Sequence, residues 1–220
     1  MSEAFDIAII GGGPGGYSTA LRAAELGKRV AMIERDATLG GTCLNRGCIP
    51  SKALISATHA IDSIRHAGEL GISATINGID YGTLHDYKKR IVDTMTQGLA
   101  GLLAHRGVTV FRGVASITGA ARPITVHIAA PADGQDVQRS VRSDVPEDIG
   151  PSYDITAQDV VLAMGSAPRQ LPGEPFRGAI IDSTRAMSMA MPHNAVIIGA
   201  GAIAAEFASM WNAAGCKVTM

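Results

Sequence analysis

Hydrophobic positions along the chain alternate between two rhythms. Phe5-Asp6-Ile7-Ala8-Ile9-Ile10 is a short apolar, β-branched run that predicts a buried strand, and it stops at Gly11-Gly12-Gly13-Pro14-Gly15-Gly16. Beyond the glycines, Ala20, Leu21, Ala24 and Leu26 recur at helical spacing, with Gly27 as the stop signal. Val30-Ala31-Met32-Ile33 reads as a second buried strand ending at Glu34, which completes a β-α-β unit. Helices are predicted from about Ile49 to His66 and from about Tyr81 to His105, followed by short strands punctuated by Gly and Pro from Val108 to Val126. The polar, aperiodic stretch from Ala130 to Ser152 reads as an exposed hairpin excursion or mobile loop. Val160-Val161-Leu162-Ala163 returns to buried-strand character, a Pro-rich connector covers Ala167 to Pro175, and from Asn194 the β-α pattern begins again.

The two β-α starts superimpose at a fixed offset of 188 positions. Gly11, Gly13 and Gly16 fall on Gly199, Gly201 and Ala204, Ala20 falls on Ala208, and Gly27 on Gly215. A strand, a Gly-x-Gly-x-x-Gly turn, a helix and a closing acidic residue form the dinucleotide-binding fingerprint. Gly11 allows the tight turn, Gly13 leaves room for a pyrophosphate, and Gly16 lets the helix lie close on the strand. The helix N-terminus offers N–H groups and partial positive charge to phosphates, and Glu34 can accept from ribose hydroxyls. Ala204 at the third position of the second copy is a tolerated variant. The partner of Glu34 in that copy would fall at position 222, past Met220, so the residue that separates NAD from NADP lies outside the 220-residue sequence.

Charge and composition narrow the classes. With 19 Lys and Arg against 20 Asp and Glu, the chain lacks the basic footprint of nucleic-acid binding. The acidic start, Met1-Ser2-Glu3-Ala4-Phe5-Asp6, does not read as a signal peptide, and Gly, Pro or charge interrupts each apolar run short of a membrane span. The expectation is a soluble, cytoplasmic protein with no membrane partner. Three Cys without an export signal point to redox or metal chemistry rather than a disulfide scaffold. No metal site is expected, because the six His (His59, His66, His85, His105, His127, His193) show no spacing that completes a zinc ligand set. Two buried structural cysteines remain the competing reading of Cys43 and Cys48, and Cys216 reads as a small buried hydrophobe.

Gly40-Gly41-Thr42-Cys43-Leu44-Asn45-Arg46-Gly47-Cys48-Ile49-Pro50-Ser51-Lys52 is the most informative stretch. It resembles the class I flavoprotein disulfide oxidoreductases, most closely the dihydrolipoamide dehydrogenases, and the resemblance covers the whole chain. Glutathione and mercuric reductases carry a similar motif and are the alternative. The resemblance implies a redox-active disulfide between Cys43, the thiol that exchanges with substrate, and Cys48, the thiol that faces the flavin. Five residues on a regular helix rise about 7.5 Å, too far for a disulfide, so such a bridge needs a distorted segment, which Gly47 and Pro50 permit. Pro50 fits a first helical turn and puts Cys48 near a helix N-terminus, where a thiolate is stabilised.

The same resemblance implies the remaining assignments. FAD contacts would come from Gly11, Gly13, Pro14, Gly15, Gly16, Glu34, Arg35, Gly41, Thr42, Lys52, Ala115, Gly165 and Ser166. Phe111-Arg112-Gly113-Val114-Ala115 resembles the turn passing the adenine, and Ala163-Met164-Gly165-Ser166-Ala167-Pro168 has Met164 where the family has Thr. NAD contacts would come from Gly199, Gly201, Ala202, Ile203 and Glu206, with Lys52 and Glu206 joined in a buried ion pair beside the flavin. The expected fold is α/β: a three-layer, Rossmann-like FAD domain over residues 1–170 with a small inserted antiparallel β segment, then a connector and the start of a second Rossmann-like NAD(P) domain over 171–220. Dihydrolipoamide on a lipoyl domain of a 2-oxoacid dehydrogenase or glycine cleavage complex would be the substrate, and a homodimer the assembly. The family's catalytic His-Glu pair has no counterpart here, so the 220-residue chain alone is expected to be inactive, with a truncated product or a stand-alone FAD-binding, electron-carrying module as the other readings.

Overall fold

The N-terminal apolar run forms the centre of a sheet. In the computed structural model, which describes residues 3–119, 121–131, 133, 138–140 and 147–220, strand β1 (Glu3–Ile10) lies between β2 (Val30–Glu34) and β8 (Ser152–Leu162), parallel to both. The sheet has eight strands in the order β4-β5-β8-β1-β2-β3-β6-β7, with β3 (Thr109–Arg112), β4 (Val114–Gly119), β5 (Ile124–Ala129), β6 (Gln138–Ser140) and β7 (Glu147–Asp148) completing it. β8 is therefore longer than its predicted apolar end at Val160. Its first half pairs antiparallel with β5 while its second half pairs parallel with β1. The expected inserted antiparallel segment is thus no separate layer, because β8 carries it on as part of the same sheet. Of the predicted excursion over 130–152, β6 and β7 are described, and residues 132, 134–137 and 141–146 lie outside the described residues.

The chain divides into two compact units, the first running up to Asn45 and including Thr94–Ala167, the second comprising Arg46–Asp93 and Pro168–Met220. Residues 46–93 group with the C-terminal part, and the last division falls between Ala167 and Pro168.

In the first unit, Phe5, Ala8, Ala31, Ile33, Phe111, Val126, Ile128, Ile155 and Ala157 form a core, in which Phe111 packs edge-on to Phe5 and stacks on Tyr153. Helix α1 (Pro14–Glu25) buries Gly16, Ala20 and Ala23. The small residues, not the predicted Leu21 and Leu26, make this stripe: Leu26 is the C-cap, and it is exposed. Gly27 follows it at φ +75°, a left-handed stop that glycine adopts without strain.

In the second unit, α3 (Cys48–His66) and the first part of α4 (Tyr81–His105) match the predicted helices closely. The short helices α2 (Gly41–Arg46) and α5 (Ser183–Ala186) were not anticipated. β9 (Asn194–Val196) and β10 (Lys217–Thr219) pair in parallel around α6 (Ala202–Ala213). Leu54, Ala186, Met187, Phe207, Met210, Trp211 and Cys216 form the core of this unit. Burial raises the Cys216 thiol above its ordinary value, in keeping with its reading as a small hydrophobe. Among the described residues no helix is long and apolar enough to cross a membrane.

Candidate functional site

The glycine turn after β1 is held by backbone contacts that exclude side chains. Gly11 has φ +107°, and a Cβ there would lie 2.2 Å from the Ala163 carbonyl oxygen at the end of β8. A Cβ on Gly16 would lie 1.8 Å from the Gly11 carbonyl oxygen, so this glycine does set the close approach of α1 to β1. Gly13 is the N-cap of α1, with no side chain capping it, and what a Cβ there would meet is Gly41 Cα at 3.7 Å. Gly41 approaches from the other side: its own Cβ would come within 2.7 Å of Gly13 Cα. Pro14 and Gly15 are exposed at the start of α1. This leaves an uncapped helix N-terminus bordered by bare backbone, a cradle that suits a pyrophosphate.

Glu34 is buried at the end of β2 and is held at both oxygens. Gly12 N–H donates to Oε2 at 2.7 Å and Asp36 N–H to Oε1 at 2.9 Å. A carboxylate oxygen can accept twice, so each keeps capacity for a ribose hydroxyl. Arg35 is exposed. Sequence reasoning missed Gly12, Asp36 and Asn45. Asn45 donates through Nδ2 to the carbonyls of Leu39 (3.1 Å) and Gly41 (3.0 Å) and accepts from Thr38 Oγ1, so it ties down the loop that brings Gly41 to Gly13. Its place in the Cys-Leu-Asn run was the available signal.

Cys43 is half-buried on α2, behind an exposed Thr42, in the first unit. Cys48 is exposed and opens α3 in the second. The helical path breaks between them at Gly47, whose φ −140° and ψ −109° are not helical, and Pro50 stands in the first turn of α3, as the sequence led one to expect. Ala115 is half-buried on β4, Met164 is exposed where a hydroxyl was missing, and Gly165 makes its turn at φ +74° with Ser166 exposed after it.

In the second unit Lys52 Nζ donates to Glu206 Oε1, and Ser51 Oγ donates to Glu206 Oε2 at 3.2 Å. The expected pair exists, but it is not buried: the Lys52 side chain is 59% exposed and that of Glu206 31%. The Lys52 hydrogen bond holds the Glu206 carboxyl below its ordinary value; burial opposes it, and the charge of Lys52 and the Ser51 hydrogen bond add smaller lowering effects. Gly199, Gly201, Ala202 and Ile203 are exposed around the start of α6. Among the described residues no group of three or more His, Cys, Asp or Glu could hold a metal.

These features define an α/β protein with a dinucleotide-type glycine turn and two cysteines flanking a helix break. The family model for the pyridine nucleotide-disulphide oxidoreductases matches residues 5–220. The chain belongs to that family. It is 37% identical to the dihydrolipoyl dehydrogenase of Chlamydia pneumoniae, over the whole of this chain and 43% of that protein, and 37% identical to that of Geobacillus stearothermophilus, over 96% and 41%. Among solved structures, LpdA from Mycobacterium tuberculosis aligns with a TM-score of 0.80 at 26% identity, covering 98% of this chain and 44% of that one. The chain thus spans less than half the length of the relatives it matches.

Proposed function

We propose that this chain carries the FAD-binding and redox-disulfide portion of a dihydrolipoamide dehydrogenase-type enzyme. The observation that carries the reading is a side-chain-free glycine cradle followed by the Cys43-Leu44-Asn45-Arg46-Gly47-Cys48 segment in a chain of this family. Gly11, Gly13, Pro14, Gly15, Gly16, Gly41 and Thr42 would hold the pyrophosphate of FAD, Glu34 and Arg35 its ribose, Ala115, Gly165 and Ser166 its flanks, and Lys52 its flavin. Bound FAD supplies the two-electron acceptor between a dithiol and NAD.

The protein's own part is thiol exchange. One thiolate of dihydrolipoamide, on a lipoyl domain, attacks the sulfur of Cys43 in the oxidised pair, and the Cys48 thiolate leaves. The second substrate thiolate displaces Cys43, so the substrate ends as a cyclic disulfide and the cysteines end as a dithiol that holds both electrons and takes up the two substrate protons. A helix N-terminus at Cys48 favours its thiolate as the leaving group. Gly199, Gly201, Ala202, Ile203 and Glu206 belong to the NAD side of the reading, and a homodimer is its assembly.

Thiol counting on the purified, FAD-loaded chain tests this. Mild reduction of the air-oxidised protein should expose two additional thiols, and Cys43→Ser should expose none. Equal counts before and after reduction of the unsubstituted chain would remove the redox assignment.

A further inference from the structure

Ser51 is almost fully buried on α3, at 6% exposure, yet its hydroxyl faces two acceptors at equal distance: the Cys48 carbonyl at 3.2 Å and Glu206 Oε2 at 3.2 Å. A hydroxyl has one proton to give. The Cys48 carbonyl is the i−3 oxygen of Ser51's own helix, a weak local partner. Glu206 is a carboxylate already held by Lys52 on its other oxygen, and it makes the stronger, charge-assisted acceptor. Since the Lys52 side chain is largely exposed, its ammonium has water available as a competitor for the carboxylate. The buried contact to Glu206 is the one from Ser51. Ser51 N–H is meanwhile bound to the Gly47 carbonyl at 3.0 Å, which fixes the residue against the break that precedes Cys48.

We infer that Ser51 is a positioning residue: its hydroxyl orients Glu206, which in turn holds the Lys52 ammonium beside the Cys48 turn. This deepens the proposed redox function and rests on it for its consequence, while the hydrogen-bond linkage itself is a property of the chain without cofactor. Three consecutive positions then act together: Pro50 stands in the first turn of the helix, Ser51 grips the acid arriving from α6, and Lys52 meets that acid from outside.

The test uses the full 220-residue chain. Carboxyl resonances of Glu206 are followed by NMR against pH without FAD, in the unsubstituted protein, Ser51→Ala and Ser51→Thr. Loss of the hydroxyl should raise the pH at which Glu206 titrates and broaden the Lys52 ammonium signal, and Thr should restore both. An unchanged titration in Ser51→Ala, or equal shifts in the Ala and Thr variants, would overturn the inference. The flavin absorption spectrum of FAD-loaded Ser51→Ala should then shift in the same sense as that of Glu206→Gln, and by less. A shifted carboxyl titration with an unshifted spectrum would keep the linkage and overturn its role at the redox site. Failure of the unsubstituted chain to take up FAD strikes the proposed function and leaves the titration result intact.

Discussion

Residues 7–27 and 195–215 carry the same strand, glycine turn and helix, and their backbones agree closely. Gly11 and Gly199 have φ +107° and +122°, and the helix N-caps Gly13 and Gly201 have φ, ψ of −75°, −174° and −79°, 179°. Their surroundings differ sharply. Ala8 is fully buried while its counterpart Val196 is 76% exposed, and Ile198 and Ile203 are 74% and 62% exposed. A Cβ on Gly11 or Gly16 would collide with backbone, whereas one on Gly199 or Gly201 meets nothing within 4 Å. β1 lies between two strands, and β9 has β10 beside it as its one neighbour among the described strands. The fingerprint therefore encodes the turn, but neighbouring strands turn the turn into a cradle: it is Ala163 at the end of β8 that makes Gly11 sterically obligatory.

The strongest break in this comparison comes from exchanging residues at the third fingerprint position. Gly16→Ala sets a methyl against a carbonyl oxygen in the core of the first unit, with a cost of about 3 kcal/mol from overpacking. Ala204→Gly in the second copy removes a methyl from a helix and costs about 1 kcal/mol through helix propensity. Urea denaturation of both variants measures the difference. Equal losses would mean that α1 can shift away from β1 and that the close contact is not a constraint.

A smaller effect comes from the acidic residue that closes the first copy. Glu34→Ala strands the buried Gly12 N–H, and an unsatisfied buried donor costs about 1–3 kcal/mol. Glu34→Gln keeps an acceptor for it and should recover most of the loss without recovering a tight ribose contact. Melting temperatures and FAD affinities of the two variants, compared in parallel, separate the structural from the binding role. Identical stability in both would show that Gly12 finds another partner.

What could be read from the chain follows this division between local and assembled features. α-Helix limits at His66 and His105 and the strand limits around Glu34 were legible because the glycine stops and the apolar period are local. The long β8 was not, since residues 152–157 are polar on alternate positions and pair with β5 across the sheet. Leu26 keeps the helical spacing but lies exposed at the C-cap of α1, because close packing of that helix selects small residues. At the site, the glycines, Glu34, Cys43, Cys48 and Lys52 were recognisable as types with a chemistry. Asn45 and Ser51 were not, because a neutral side chain reveals its role through partners that folding supplies. The ion pair between Lys52 and Glu206 was anticipated from the resemblance, but its exposure depends on what covers it, which no motif records.

That exposure sets the smallest effect, and its pH dependence sharpens the comparison from the side of the second copy. Glu206 lies on α6, five residues after its N-cap Gly201, and its carboxyl is held below the ordinary value of 4.5 chiefly by the Lys52 hydrogen bond. A carboxyl depressed in the folded state binds its proton more readily when unfolded, so it stabilises the fold fully above about pH 4.5. That contribution is lost as the pH falls through the folded value. With Lys52 more than half exposed, solvent screening limits the gain to about 0.2–1 kcal/mol, well below the 3–5 kcal/mol of a buried pair. Glu206→Gln should therefore lower stability slightly at pH 7, by less at high salt, and by nothing once Glu206 is protonated in the unsubstituted protein. Urea denaturation of both proteins at pH 7 and at pH 3, each with and without 1 M salt (where the screening length is about 3 Å), measures all four terms. A difference that is unchanged in acid would show that Glu206 acts through its packing against Ser51 and not through its charge.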